Sequence, residues 1–308
     1  MGDRFFWAWG LIDFNNVAFQ GAVNGLTCLW KNKLWPYEFD SERFVKRLDS
    51  IFLAARNSTA KDGSLDQAFP REGSYALTAF VAFDMLCAIS NADGLIEDTV
   101  RDLWVDTVEP MIQYLIRNDE THGVISNHLA GAVAALVRWD KIKGDSKAIQ
   151  KAEELLSRIL EKQSTEGWFL EYEGADPGYQ SLCTMYLSDV HHNRTDWNLE
   201  NNLRKSIRFL WHFAHPDGSF GGVYGSRNTR FFNPVGILAL SDSMPEAAAL
   251  ASFMVKSVDS NRVINLSSVD ETNLTPFFNA YCNASVLHEQ YRSSSEISLP
   301  FQRWEKQR

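Results

Sequence analysis

Helix-length stretches that are apolar on every side alternate along this chain with stretches that carry a single apolar stripe. Tyr75 to Ile89, Leu129 to Trp139 and the run from Ser181 to Val190 are of the first kind. The helix after Pro36, with Asp40 or Ser41 as its N-cap, and those at Glu97 to Arg117 and Lys147 to Gln163 are of the second. A helix that is apolar all round needs partners on all sides, and a striped helix can cover it from outside. The alternation therefore predicts helical hairpins, each an inner helix with an outer one, and a chain of such hairpins closes into a ring. Eleven helices read in this way make five to six pairs. The fold class expected is all-α, an (α/α)5-6 toroid without a β-sandwich, with residues 1–308 as a single domain. No strand-period run interrupts the pattern.

The loops repeat as well as the helices. Asp62-Gly63, His122-Gly123, Glu166-Gly167 and Asp217-Gly218 each mark a turn shortly before an inner helix, so the long loops should gather at one rim. The most elaborate of them runs from Glu166 through Trp168, Glu171, Asp176 and Pro177 to Tyr179. Pro177 disfavours helix at Asp176, so a helix starts near Gly178 and Tyr179 lies beside its unpaired N–H groups and positive dipole end. A phenol in that position is drawn toward its anionic form.

A net charge of −9 with no basic block excludes the counterion-release mode of nucleic-acid binding. No run approaches the length of a membrane span. The start, Met1 to Gly10, lacks the basic, apolar and small-residue segments of a secretory leader, which predicts a cytoplasmic protein. Cys28, Cys87, Cys183 and Cys282 are far apart in apolar helices and read as buried thiols. His191-His192 and His212-x-x-His215 lack matching ligands nearby, so no metal is expected. With no nucleotide or hydrolase-elbow fingerprint, no cofactor is expected either. Ten Trp and twenty Phe suit both a helical core and a sugar-stacking groove.

Loops that gather at one rim bring together Asp66, Gln67 and Arg71; Asn127 and His128; Trp168, Glu171, Asp176 and Tyr179; and Tyr224, Arg227, Asn228 and Arg230. An amide, an imidazole, a phenol and guanidiniums are what elimination across a uronic acid needs. The proton at C5 is weakly acidic beside a carboxylate, and a donor that holds the carboxylate stabilises the charge of the enolate-like transition state. A tyrosine can take that proton and return one to the leaving oxygen.

Ser126-Asn127-His128, followed by a Gly/Glu-rich loop ending in Pro177-Gly178-Tyr179, resembles the toroid domain of the heparinase II/III and alginate lyase superfamily. The resemblance implies Asn127 as the carboxylate neutraliser, His128 as its helper and Tyr179 as the catalytic base and acid. The remaining rim residues would bind an acidic oligo- or polysaccharide. Two other readings stay open. A hydrolase similar to unsaturated glucuronyl hydrolases would use Asp66 and Asp176 as general acid and base, and a binding protein would keep the groove without turnover.

Overall fold

The computed structural model describes residues 17–35, 38, 40–67, 71–223, 231–269, 271–290 and 297–305. Among them lie α1 (Val23–Lys31), α2 (Ser41–Ser58), α3 (Tyr75–Asn91), α4 (Asp98–Arg117), α5 (Ser126–Lys143), α6 (Ser146–Glu161), α7 (Pro177–Asn193), α8 (Glu200–Leu210), α9 (Val235–Leu240), α10 (Pro245–Asp259), α11 (Glu271–Gln290) and α12 (Pro300–Glu305). The described residues form isolated β-bridges and no strand. No described helix is long and apolar enough to cross a membrane.

Short polar side chains set several helix starts. Asp40 accepts from the N–H groups of Glu42 and Arg43 at α2, and Ser74 from that of Leu77 at α3. Two boundaries differ from the sequence reading for physical reasons. α5 begins at Ser126 rather than Leu129, because Leu170 O and the Glu171 carboxylate, both from a distant loop, take the first N–H groups of the helix. α11 begins at Glu271, whereas the sequence pattern alone predicts this helix from about Phe277; Pro276 falls inside its early turns. α12 has no counterpart in the expected set.

The chain folds as two compact units. The first holds the described parts of Met1–Glu120, Ala135–Ala152 and Asp270–Val286, and the second those of Thr121–Ala134, Glu153–Val269 and Leu287–Arg308. Each unit is built as a wall two helices thick. In the first, α1 packs on α3, α3 on α4, and α4 on α2. In the second, α7 packs on α8 and α9, and α10 on both of those. α3 and α7 are buried on most sides, whereas α2 buries only Leu48, Phe52 and Ala55, which is the division into inner and outer helices. Gly236 lets α9 lie backbone to backbone on α7, since a Cβ there would stand 2.7 Å from Met185 Cα. All four cysteines are buried thiols outside any disulfide.

Asn279 of α11 ties the far ends of the described chain together inside the first unit. Its Oδ1 accepts from Gly25 N–H at 3.0 Å and its Nδ2 donates to Gly21 O at 2.9 Å. Asn283 Nδ2 reaches Asn24 Oδ1 at 3.2 Å, and Asn24 Nδ2 reaches Asp84 Oδ1 at 2.8 Å. In the second unit the outer helices are tied by Glu246, 5% exposed at the start of α10. Its carboxylate pairs with Arg204 and, at 2.7 Å, with Arg208 of α8.

Three of the four x-Gly turns share one geometry. The glycine N–H returns to the carbonyl three residues back in Ala60–Gly63, Ser164–Gly167 and His215–Gly218, each at 2.9 to 3.0 Å. Glycine is required by position as well as by its left-handed φ: a Cβ on Gly63 would meet Pro110 O at 2.0 Å, and one on Gly167 would meet Lys205 O at 2.3 Å. The turn at Gly123 differs, with no atom within 4 Å of where a Cβ would stand.

Candidate active site

The loop from Gln163 to Asp176 is held by side chains that reach it from the helices of its own unit. Gln180, fully buried on α7, accepts from Phe169 N–H at 2.8 Å and donates to Gly167 O at 3.2 Å and to Ser206 Oγ of α8 at 2.6 Å. Thr78 of α3 has the matching task in the first unit, where its Oγ1 accepts from Leu65 N–H at 2.9 Å. In both places the fourth residue of an inner helix orders the loop that leads into it.

Asp176 ends the loop and caps α7. Its Oδ1 accepts from Gly178 N–H at 3.0 Å and Tyr179 N–H at 3.1 Å. With Pro177 at the first helical position, Tyr179 is fixed in the first turn, where the helix dipole is positive. Its ring is half-buried and meets Phe231 edge-on, with centroids 5.2 Å apart. Ser181 Oγ accepts from Asn233 N–H at 2.9 Å, and Asn233 Oδ1 accepts from Val235 N–H at 3.1 Å, so the starts of α7 and α9 lie side by side.

Asn127 and Glu171 form a buried pair joined by two hydrogen bonds. Glu171 is 0% exposed and Asn127 1%. One carboxylate oxygen accepts from Asn127 N–H at 2.8 Å and the other from Asn127 Nδ2 at 2.7 Å. A carboxylate at the start of α5 is favoured by the helix dipole as well as by these bonds. Asn127 Oδ1, in contrast, is buried without a hydrogen-bond partner among the described residues. The amide that the resemblance casts as the neutraliser therefore holds a carboxylate of its own chain through its nitrogen. Next to it on α5, His128 is half-buried.

The remaining expected residues are distributed as follows. Trp168 is half-buried, with its indole N–H on Glu166 at 3.2 Å. Glu171 and Asp176, read from the sequence as substrate-binding, are both fully buried and serve helix starts. Asp66, Gln67 and Arg71 belong to the first unit. There the Asp66 carboxylate accepts from Arg71 N–H at 2.7 Å and Gly73 N–H at 3.0 Å, and Gln67 Oε1 accepts from Ser74 Oγ at 3.2 Å. Tyr224, Arg227, Asn228 and Arg230 lie outside the described residues.

Electrostatics separates the reactive types near the site from the inert ones. Burial, with the negative charge of Glu171 added, pushes the Cys183 thiol far up and keeps it protonated. His191, at the far end of α7, is held down by burial and by His192, and its Nδ1 is buried without a partner among the described residues. His215 is a turn residue, its Nδ1 bonded to Ser219 Oγ at 2.8 Å. Sequence reasoning missed Gln180, Ser181 and Ser206, whose polar character in an apolar helical run was the available signal.

Asn127→Ala should be costly in two ways. It leaves one Glu171 oxygen buried without its donor, for about 1–3 kcal/mol of stability by thermal melting. If the amide also serves the reaction, turnover falls by roughly two to three powers of ten. A variant that melts like the parent would show that Glu171 finds another donor.

The sequence profile of the family described as Ulvan lyase N-terminal domain matches residues 38–232. A search of curated proteins finds no match. Among solved structures, a sugar epimerase from a ruminal bacterium is similar with a TM-score of 0.66 at 9% identity, over 91% of this chain and 89% of that one. A polysaccharide lyase gives 0.58 at 9% identity, over 91% and 92%. A glycosyl hydrolase of family 88 from Bacteroides vulgatus gives 0.57 at 9% identity, over 89% and 94%. At such identities the likeness establishes the fold, which is the (α/α) toroid.

Proposed function

We propose, because the chain belongs to the ulvan lyase N-terminal domain family, that it is a polysaccharide lyase cleaving an acidic, uronate-containing glycan by β-elimination. The observation that carries this reading is the setting of Tyr179, a half-buried phenol in the first turn of α7 with its backbone fixed by Asp176. In the reaction the phenolate takes the proton from C5 of the uronate. The C5–H electrons form the C4=C5 bond, the C4–O bond breaks, and the phenol returns a proton to the leaving oxygen. The Asp176 and Glu171 carboxylates already occupy the starts of α7 and α5, so the residue this reading assigns to the substrate carboxylate is His128, half-buried on α5.

The hydrolase reading would need Asp176 to exchange a proton with a glycosidic oxygen. The burial of that carboxylate and its bonds to two backbone N–H groups speak for a capping role instead. The test is incubation with a panel of polysaccharides, ulvan and other uronate-containing chains among them. Ultraviolet absorbance reports the unsaturated product, and a reducing-end assay counts every cleavage. The lyase reading expects both signals to rise together; new reducing ends without absorbance would assign hydrolysis.

A further inference from the structure

Two turns of the chain repeat one design and differ in the use of one arginine. In Asp62-Gly63-Ser64 the aspartate accepts from the serine N–H at 3.0 Å and hydroxyl at 2.8 Å; in Asp217-Gly218-Ser219 the same bonds are 3.0 and 2.7 Å. Each turn rests on the chain of an outer helix or just beyond it. Gly63 lies against Pro110 in α4, and Gly218 against the stem of Arg262, just after α10. In the first turn the nearby arginine is structural, since Arg117, the last residue of α4, donates to Asp62 O at 3.1 Å. Arg262 has no such duty: its guanidinium makes no hydrogen bond or close ion pair with a described residue, and its charge only helps to hold the Asp217 carboxyl below its ordinary range. Its backbone is nonetheless fixed, with the N–H on Ser257 O at 2.8 Å and the preceding Asn261 left-handed at φ 54.

Arg262 lines a cleft of about 380 Å³ with Ser219, Gly221, Gly222, Ile264 and Ser268. The volume lies within the range of small-ligand sites. Gly221 and Gly222 carry no side chains and have φ of 71 and 155, so a ligand can approach the backbone there. Phe220, which also lines the cleft, meets Phe232 with ring centroids 5.0 Å apart, and the next residue, Asn233, is bonded to Ser181 at the start of α7. The cleft therefore belongs to the loop layer at the end of the second unit that also carries Tyr179. Arg262 is exposed, and its guanidinium donors, which no described residue takes up as a hydrogen bond, suit a carboxylate or sulfate.

We propose that Arg262 and this cleft form a subsite for the anionic group, carboxylate or sulfate, of a sugar unit flanking the one that is cleaved. The word cleaved rests on the lyase reading above; the subsite itself is measured by binding. Calorimetric titration compares the parent protein with Arg262→Gln and Arg262→Lys, using an oligouronate, the same oligomer with its carboxyl groups reduced to alcohols, and a sulfated oligosaccharide without carboxyl groups. Arg262→Gln should weaken the anionic probe by about tenfold, and Arg262→Lys should restore most of it because a point charge remains. The reduced oligomer should bind the parent and both variants alike. Loss with the oligouronate alone assigns the carboxylate, and loss with the sulfated probe alone assigns the sulfate. The proposal is overturned if Arg262→Gln binds both anionic probes as the parent does, if it loses the reduced oligomer equally, or if the parent binds neither anion. Binding through Arg262 with no unsaturated product from any polysaccharide would keep the subsite and remove the lyase reading.

Discussion

Tyr179→Phe is expected to abolish formation of unsaturated product while costing about 1 kcal/mol of stability or less. The substitution removes one oxygen and keeps the ring. The edge contact with Phe231 is made by the ring, and the bond to Asp176 by the backbone N–H. Without the hydroxyl there is no group at this position to accept the C5 proton or return one to the leaving oxygen. A barrier raised only by lost packing would instead show as a lower melting temperature with partial activity. If the variant keeps most of its turnover with an unchanged melting curve, Tyr179 is not the proton-transfer group, and His128 becomes the residue to replace next. Because the assay and the melting curve are independent, the two explanations separate cleanly.

The inner and outer helices were legible because each is written locally. Thirteen buried positions of α3 follow one another with hardly a polar residue, and Asp40, Ser74 and Asp176 stand where caps belong. The turns at Gly63, Gly167 and Gly218 were legible for the same reason. What stayed hidden are pairings across long stretches of chain. Nothing near Asn127 announces that its amide will hold Glu171, 44 residues on, so a residue read as a substrate neutraliser and one read as a substrate ligand turn out to bond each other. The same holds for Asn279, which meets Gly25 across a separation of 254 residues. Glu171 and Asp176 stand out in the sequence by their charge, and charge does not report burial. Gln180 was passed over because it sits inside an apolar run, although an amide there must find partners.

The polar cluster that joins α1, α3 and α11 should make stability depend on pH through Asp84. Burial pushes this carboxyl up to about 7, against the pull of hydrogen bonds from Asn24 and Asn279 and of the Arg138 charge. The folded protein therefore holds a proton on Asp84 that the unfolded chain releases near pH 4. With more protons bound in the folded state, stability falls as pH rises, starting near the unfolded value and levelling off once the folded group has ionised near 7. The full span corresponds to about 4 kcal/mol at most, and internal relaxation will reduce it. Asp84→Asn removes the titration and keeps an oxygen that can accept from Asn24 Nδ2, now 2.8 Å away. Chemical denaturation of parent and variant across pH 4 to 8 should give curves whose difference grows with pH in favour of the variant. The slope is the diagnostic quantity, since an amide nitrogen facing Asn279 shifts the absolute level at every pH alike. Parallel curves would mean that Asp84 ionises at its ordinary carboxylate value, and the clasp between the first and last described long helices would then be neutral to pH.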